Sequence, residues 1–195
     1  MLSTDRKIFE LNSAVASRMI DYGQVLGDLQ IIVLGGHQQT KSLSDCVTVR
    51  STNSWHRLMY IPDAISLIIS LNRLGRADWL SAQDPFETGL AVWIANLWIR
   101  TKLQLQLHTD VFSPFFAKSS FLNQVRAVLA RFLLPRADRI RVVSQKIFQS
   151  LTVGPLTLPS EKITVLPVFV DAEKFSHRES SLDLRQKYPQ FEQIV

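Results

Sequence analysis

The sequence predicts an α/β protein built on a doubly wound parallel sheet, and two observations carry this prediction. Strand-like and helix-like patterns alternate along the chain through about seven units, which is typical of parallel sheets whose strands are joined by crossover helices. Near the middle, residues 103–107 alternate apolar and polar side chains as a strand does, and helical patterns flank them at 87–100 and 123–134. Right-handed crossovers would then place helices on both faces of the sheet.

Composition and charge favour one globular domain that meets acidic partners. Of the 195 residues, 46% are hydrophobic and 20% are charged, which suffices for a sizeable core. The formal charge of +5 predicts phosphates, nucleotides or anionic lipid surfaces as partners. Nucleic acid is not expected, because the sequence contains no recognisable nucleic-acid-binding motif.

Three features of the sequence predict a cytoplasmic location. Cys46 is the single cysteine, so an internal disulfide is excluded and a reducing compartment is favoured. The longest apolar runs, at 65–71 and 90–99, are shorter than the ~20 residues that a membrane-spanning helix needs. The N-terminus shows no basic segment followed by an apolar one, as a signal peptide would. A peripheral position on the inner face of the membrane is the alternative.

The first fifty residues predict three strands, one polar loop and one helix. The strands are expected at 1–4, 29–34 and 46–49, and the loop at 4–12. The first strand is shorter than the usual 5–6 residues, so we expect its start to be clipped. Ser13 is a good N-cap for a helix that continues to Tyr22, with Gly23 as a stop signal. The second strand is apolar except at Gln30, which predicts burial on both faces.

The next segments predict two helices on either side of a strand. Pro62 suits the first turn of a helix that ends before Gly75, and a short strand is expected at 78–82. Asp84 is a good N-cap for the second helix, which would run to about residue 100, and Glu87 lies three positions beyond that cap. The second helix is apolar nearly all round, which predicts that it is buried.

The last third of the chain predicts further alternation of helix and strand. We expect a loop at 111–120, a helix at 123–134, strands at 139–143 and 163–166, a turn-like and helical segment at 180–188, and a new strand beginning at 191–195. One side of the helix at 123–134 would carry Val125, Leu129, Phe132 and Leu133. Ser144 would cap a helix that ends near residue 151.

Polar side chains follow the central predicted strand directly, as His108, Thr109 and Asp110. In parallel sheets of this kind, ligands bind beyond the carboxyl ends of the strands. Position alone leaves two interpretations open, because His108 also suits a structural loop histidine and Asp110 a turn residue. Asp84 and Glu87 follow the neighbouring strand, where helix capping is the competing explanation.

Several well-known site motifs are missing from the sequence. The first strand is not followed by a Gly-x-Gly-x-x-Gly dinucleotide fingerprint, and there is no P-loop. No nucleophile elbow indicates Ser-His-Asp catalysis. The histidines are scattered without metal-ligand spacing, at His37, His56, His108 and His177. We therefore expect neither a bound cofactor nor a metal site.

Four parts of the sequence, in this order, resemble a bacterial glycosyltransferase of the group 1, family 4 type. They are LSTD at 2–5 followed by 13–19, QDPFETG at 83–89, LHTD at 107–110, and 137–144 followed by 162–175. The resemblance implies one half of a GT-B fold. Residues 1–175 would be its N-terminal, Rossmann-like, acceptor-side domain, and 176–195 a linker with the beginning of the donor-binding domain. One departure is that 5–12 lacks the glycines of the family's first loop.

The resemblance also implies an activity, a retaining and metal-independent transfer of a hexosyl unit from a nucleotide-sugar to a saccharide or lipid-linked acceptor. The donor would be held mainly by the second domain, through two glutamates eight positions apart that we expect beyond Val195. The isolated chain is therefore expected to be inactive. His108 matches the family histidine that lies near the transferred sugar. Candidate acceptor-binding residues are Asp84, Glu87, Asp110, Arg18 and Ser144.

Three other functions stay open. One is a fragment that folds without turnover, another is a GT-B epimerase acting on a nucleotide-sugar, and the third is a peripheral membrane or interaction module. The third depends on a basic stretch, Arg126, Arg131, Arg136, Arg139 and Arg141, with Phe115, Phe116 and Phe121 upstream. Each basic residue near an anionic surface contributes roughly 1 kcal/mol. An ordinary solvated helix face would explain the same stretch.

Overall fold

Residues 1–168, the part of the chain that the computed structural model describes, form one eight-stranded sheet with helices packed against it. The strands are β1 (Leu2–Ser3), β2 (Leu29–Val33), β3 (Thr40–Ser44), β4 (Val47–Ser51), β5 (Trp79–Ala82), β6 (Lys102–Leu107), β7 (Arg139–Val142) and β8 (Ile163–Val165). The α-helices are α1 (Ala14–Leu26), α2 (Tyr60–Leu74), α3 (Glu87–Ile99), α4 (Pro114–Lys118), α5 (Phe121–Leu133) and α6 (Gln145–Thr152). The strand order is β3-β4-β2-β1-β5-β6-β7-β8, and neighbours are parallel except β3 and β4. The predicted doubly wound parallel sheet is confirmed.

The direction in which the chain moves along the sheet decides which face each helix covers. From β1 to β2 the chain moves one way, whereas from β4 to β5 and on to β8 it moves the other way. Because such crossovers are right-handed, α1 lies on one face and α2, α3, α5 and α6 lie on the opposite face. The apolar clusters agree, since one joins α1 to β2 and β4, and a larger one joins the other helices to β5–β8.

Strand β2 is buried on both faces, as its apolar run predicts. Ile31 and Val33 belong to the cluster on the α1 side of the sheet. Ile32 and Leu34, which alternate with them, belong to the larger cluster on the other side. The side-chain period of two therefore divides one continuous apolar run between two cores.

Strand β6 buries one apolar face and keeps a polar one. Its leucines, Leu103, Leu105 and Leu107, all lie in the larger cluster. On the opposite face, the Ser81 hydroxyl donates to Gln104 Oε1 at 2.9 Å, and Gln106 Nε2 donates to the Ser81 hydroxyl at 3.2 Å. Arg141 on β7 continues this polar row, because its Nη1 donates to Gln106 Oε1 at 3.4 Å.

Helix α1 does not stop at Gly23, so that prediction is wrong. Ser13 caps the helix as expected, since its hydroxyl accepts the Ala16 N–H at 3.0 Å. The helix then passes through Gly23 and ends at Gly27, whose φ of 81° suits glycine. Gly23 instead permits close packing, because a Cβ there would lie 2.1 Å from Val47 Cγ2.

Three other elements differ from the expectations. The polar edge strand β3 was not predicted, and it pairs antiparallel with β4 next to it. The loop expected at 4–12 contains a 3₁₀ turn (Arg6–Phe9) that buries Ile8 completely. The loop expected at 111–120 contains the short helix α4, which Ser113 caps through the Phe115 N–H. Short elements of this kind lack the periodicity on which sequence patterns depend.

Of the four side chains expected to share one side of α5, only Leu133 is fully buried. The side chains that face the core are Ala127, Ala130 and Leu133, whereas Val125 and Phe132 are 41% and 39% exposed. Small residues on the inner side let the helix approach the sheet and α3 closely, and the larger apolar residues then point outward. The segments predicted at 176–195, including the helical residues and the last strand, lie outside the described residues.

Candidate functional site

A cavity of about 330 Å³ opens at the carboxyl ends of β1, β5 and β6. This is where the strand order reverses, because the chain leaves β1 in one direction and returns to β5 on its other side. Such a switch point separates the loops of adjacent strands and leaves a crevice between them. The lining residues are Thr4, Gln83, Asp84, Pro85, Phe86, Glu87, Leu107, His108, Thr109, Val111 and Arg126.

The loop after β5 shapes one wall of the cavity. Asp84 Oδ1 accepts the Phe86 N–H at 2.8 Å. The buried Thr88 hydroxyl donates to the Asp84 carbonyl and accepts the Asp84 N–H, both at 3.2 Å. Helix α3 begins only at Glu87, and its N-cap position, Phe86, makes no side-chain capping bond. The predicted capping box with Asp84 as N-cap is therefore wrong, and Asp84 instead closes a tight turn before the helix.

Gly89 allows this turn to lie against the core. A Cβ at Gly89 would lie 2.7 Å from the Asp84 carbonyl oxygen, closer than real Cβ atoms come to a backbone atom. It would also lie 3.3 Å from Leu133 Cδ1 and 3.4 Å from Leu105 Cδ2. The glycine thus fixes how closely α3 can approach β6 and α5, and with it the position of Asp84.

Glu87 is held by an arginine from a distant helix. Its Oε1 accepts from Arg126 Nη2 at 2.8 Å and from Arg126 Nε at 3.1 Å. The two side chains are 37% and 32% exposed, so solvent screens the pair. The guanidinium also lies over the Phe86 ring, 5.4 Å from its centroid, and that ring stacks on Phe116. Charge and aromatic surface therefore meet at the mouth of the cavity.

Asp84 is a partly buried carboxyl of the site. Burial raises its pKa, and the nearby charge of Glu87 adds to the rise. The hydrogen bonds from Phe86 and Thr88 act in the opposite direction without cancelling it. A carboxyl with a raised pKa can hold a proton or share one with a bound hydroxyl more readily than an exposed carboxylate.

His108 follows β6 directly and lines the same cavity as the Asp84 turn. Partial burial lowers its pKa, and the positive charges of Arg141 and Arg18 lower it further. The imidazole is therefore neutral near pH 7, where it can donate through one nitrogen and accept through the other. Arg18 contributes to this environment from α1 and is absent from the cavity lining.

The remaining candidates from the sequence, Asp110 and Ser144, are not among the residues that line the cavity. Asp110 forms a turn in which its Oδ1 accepts the Phe112 N–H at 3.3 Å and the Ser150 hydroxyl at 3.0 Å. Within residues 1–168 it makes no hydrogen bond with His108, whose orientation it was expected to influence. Ser144 caps α6, since its hydroxyl accepts the Ile147 N–H at 3.3 Å. Both side chains therefore stabilise α6 and its surroundings.

The lining residues that were not predicted as site residues include Thr4, Gln83 and Arg126. The buried Ser3 hydroxyl donates to Gln83 Oε1 at 2.6 Å, and this bond ties the loop after β5 to β1. Thr4 lies beside it at the end of β1. Arg126 was interpreted only as a surface cation. Gln83 and Thr4 each follow a predicted strand directly, which is a signal that could have identified them.

No group of three or more His, Cys, Asp or Glu side chains between residues 1 and 168 is arranged to hold a metal ion. None of the helices in the same range has the length and apolar content that a bilayer-spanning helix needs.

Comparison with solved structures finds the same fold in two nucleotide-sugar enzymes. One is the UDP-GlcNAc 2-epimerase from Methanocaldococcus jannaschii, with 13% identity and a TM-score of 0.53 over 84% of this chain and 43% of that chain. The other is the UDP-N-acetylglucosamine 2-epimerase from Rickettsia bellii, with 9% identity and a TM-score of 0.56 over 96% of this chain and 50% of that chain. At these identities the likeness shows the fold alone. The chain spans about half the length of these structures, as one half of a GT-B fold does.

Comparison with protein families is more specific. No curated protein matches the chain. The family model of the glycosyl transferase 4-like domain, however, matches residues 29–168, which is more than half of the chain. This range contains the turn at Asp84, the strand end at His108 and the helix that carries Arg126. The chain therefore belongs to the glycosyl transferase 4-like domain family, as the order of its motifs predicted.

Proposed function

We propose that this chain is the acceptor-side half of a retaining, metal-independent glycosyltransferase. The enzyme transfers a hexosyl unit from a nucleotide-sugar to a saccharide or lipid-linked acceptor, in the synthesis of polysaccharides or lipid-linked saccharides. One observation carries the proposal. In a chain of the glycosyl transferase 4-like family, the cavity at the switch point brings together His108, Asp84 and Glu87.

The chemistry of the cavity supports a saccharide as its occupant. Carboxylates, an amide and an imidazole offer several hydrogen-bonding atoms, and Phe86 and Pro85 offer apolar surface beside them. Sugar rings need both, because they carry hydroxyl groups around their edge and apolar C–H groups on their faces. The size of about 330 Å³ is at the lower end of ordinary small-molecule sites.

The proposed roles follow from charge and position. In a retaining transfer without a metal, charge develops on the sugar ring and on the departing diphosphate, and fixed dipoles must stabilise it. The neutral imidazole of His108 positions a hydroxyl group of the donor sugar or the diphosphate of the nucleotide-sugar. It does not act as a nucleophile. Asp84 and Glu87 bind acceptor hydroxyls, with Arg126 holding Glu87 in place.

Substitution of His108 tests this proposal in an enzyme form that contains both the acceptor-side and donor-binding halves. We expect His108→Ala to lower kcat/KM by about 10²-fold or more, the loss of one oriented transition-state contact. His37→Ala is the matched control, because His37 is an exposed histidine outside the cavity lining. The Tm of both variants should stay within a few degrees of wild type. Activity of His108→Ala within threefold of wild type would refute the assigned role.

Product identity separates the proposal from its rivals. The isolated chain should not turn over a nucleotide-sugar with simple acceptors, and robust turnover would contradict the two-domain proposal. In the two-domain form, epimerised nucleotide-sugar formed without acceptor would instead identify an epimerase. Saccharide binding by the isolated chain, followed by NMR shifts at Asp84 and His108, would support the acceptor role even without turnover.

A further inference from the structure

One tryptophan stands in solvent on the same edge of the sheet as the cavity. Trp55 is 85% exposed, whereas Trp98 is 66% and Trp79 is 44% exposed, and Trp93 is less exposed still. Trp55 follows β4, which runs parallel to β2 as β2 does to β1, so the carboxyl ends of these strands lie side by side. An indole ring this exposed is uncommon, because Trp buries most of its large apolar surface in folded proteins.

Hydrogen bonds hold the loop that presents Trp55. The Thr52 hydroxyl donates to the Gly35 carbonyl and accepts the Gly35 N–H, both at 3.1 Å. The N–H of Ser54, a buried residue, donates to the same carbonyl at 2.9 Å. Asn53 between them has a φ of 54°, a left-handed conformation that asparagine adopts more readily than most residues. The exposure of Trp55 is therefore a property of a well-held loop.

His56 places a hydrogen-bond donor beside the indole ring. The centroids of the Trp55 and His56 rings are 5.9 Å apart, and the rings are inclined by 50°. His56 Nδ1 accepts the Leu58 N–H at 3.2 Å, at the start of the 3₁₀ turn Arg57–Met59. A neutral imidazole that accepts at Nδ1 carries its proton on Nε2. Within residues 1–168 this Nε2 makes no hydrogen bond, so it can donate to a ligand at the indole ring.

A row of polar groups joins Trp55 to the cavity. Thr4, which lines the cavity, follows β1 directly. Two positions later, Arg6 Nη2 donates to the Tyr60 hydroxyl at 3.3 Å. Arg6 Nε passes beside Gly35, 3.8 Å from where a Cβ would lie, and Gly35 holds the loop of Trp55. Because β4 and β1 are two strand spacings apart, their ends are separated by about 10 Å.

The size of the exposed surface favours a small ligand. Leu58, which is 81% exposed, is the other apolar residue of this loop in solvent, and the residues around the two are polar. A stable protein interface covers about 800 Å² on each partner, whereas one aromatic side chain buries roughly 150–250 Å². A sugar ring matches one indole ring, because its C–H groups pack on the indole face and its hydroxyl groups meet donors at the edge.

We propose that Trp55 and His56 form an outer saccharide subsite, which binds a sugar unit of the acceptor beyond the unit in the cavity. The indole stacks on one face of that sugar, and His56 Nε2 donates to one of its hydroxyl groups. The acceptor is then an oligosaccharide and not a single sugar. The link to an acceptor in the cavity rests on the proposed function, whereas saccharide binding at Trp55 does not.

Binding of saccharides of two lengths to the chain tests this subsite. The probes are linear trisaccharides of glucose, mannose, galactose and N-acetylglucosamine, each compared with its monosaccharide by calorimetry and NMR. We expect at least one trisaccharide to bind about tenfold more tightly than its monosaccharide and to shift the indole N–H signal of Trp55. Trp55→Ala should remove this advantage of length and leave monosaccharide binding unchanged. Trp55→Phe should keep most of the advantage, because an aromatic ring remains.

The control is Trp98→Ala, because Trp98 is also exposed but lies at the end of α3, far along the chain from the loop after β4. It should bind as wild type does, and the Tm of all three variants should stay within a few degrees of wild type. Equal affinity for the two lengths, an unchanged advantage in Trp55→Ala, or no binding of any trisaccharide would overturn the proposal. Concentration-dependent dimers that Trp55→Ala abolishes would assign the surface to a second copy and overturn it too.

An enzyme form with both halves separates failure of the subsite from failure of the proposed function. We expect Trp55→Ala to lower kcat/KM for a trisaccharide acceptor about tenfold, through KM, and to leave that for a monosaccharide unchanged. Transfer in which Trp55→Ala changes neither value would refute the subsite and leave the transferase standing. Length-dependent binding through Trp55 without sugar transfer would refute the transferase and leave the subsite standing.

Discussion

The two halves of the sheet bury their strands in different ways, although they form one continuous, mostly parallel sheet. In the half around β2, α1 covers one face and the larger core covers the other, so the strand is apolar throughout. In the half from β5 to β8, the helices α3, α5 and α6 cover one face, and the opposite face carries the row Ser81, Gln104, Gln106 and Arg141. The alternation of β6 reflects one apolar face and one polar face of the strand.

The comparison explains where the cavity lies and what charge surrounds it. The halves meet between β1 and β5, where the helices change faces and the loops diverge. The polar row of the second half ends at Arg141, whose positive charge lowers the pKa of His108. Arg141 Nε is buried without a hydrogen-bond partner among the described residues. The polar face of this half of the sheet thus accommodates a charge that an apolar core would exclude.

The largest expected effect comes from placing a polar side chain in β2, and its counterpart is an apolar side chain on the polar face of β6. Ile31→Gln places an amide between α1 and the sheet, and we expect a loss of about 3 kcal/mol or more in the free energy of unfolding. Gln104→Leu is the reciprocal change in β6 and should stay within about 1 kcal/mol of wild type, because its surroundings are partly open. Urea denaturation measures both. Equal destabilisation by the two changes would mean that both halves are buried alike.

A smaller effect is expected at the glycine that each half uses for close packing. Gly89→Ala should cost about 1–3 kcal/mol, because the added methyl group meets the Asp84 carbonyl oxygen at 2.7 Å. Gly23→Ala should cost a similar amount, through its contact with the buried Val47 side chain. Gly75→Ala is the control, since nothing lies within 4 Å of its added Cβ.

These glycine variants also separate the site from the rest of the fold. Only Gly89→Ala should shift the NMR signals of Asp84 and Phe86, since Gly23 lies beneath the other half of the sheet. A shift of the Asp84 turn in Gly23→Ala, or none in Gly89→Ala, would show that Gly89 does not position this turn.

The smallest expected effect concerns the titration of His108. Arg141→Gln removes one of the two charges that lower the His108 pKa, so that pKa should rise toward the ordinary value of about 6.5 while burial keeps it lower. NMR titration of the imidazole measures the change. Arg139→Gln is the control from the same strand, and it should leave the His108 pKa unchanged.

The same titration has a consequence for stability. Because the folded state binds the His108 proton less well than the unfolded state, the free energy of unfolding falls as the pH is lowered through about 6.5. Arg141→Gln should make this fall shallower. A His108 pKa that does not respond to Arg141→Gln would place the guanidinium charge too far away to act.

Much of the candidate site could be predicted, because strand ends are local features of the sequence. His108 and Asp84 each follow a recognisable strand within two residues, and the parallel sheet then brings such ends to one edge. Asp110 and Ser144 also follow strands, yet they stabilise a turn and a helix end. Position in the sequence could not distinguish a residue that lines the site from one that stabilises a turn or a helix end, because capping and ligand binding favour the same residue types.

The sequence by itself determined the class of fold, the alternating order of strand and helix in a parallel sheet, and the alternation of apolar and polar side chains along β6. These depend on side-chain periods of two and 3.6 residues, which act over short distances along the chain. Only the tertiary structure decided that Arg126 holds Glu87, which lies 39 positions away, and that α5 turns its alanines inward and its phenylalanines outward. These choices depend on how closely helices approach one another, and close approach is set by the volume of all the packed residues together.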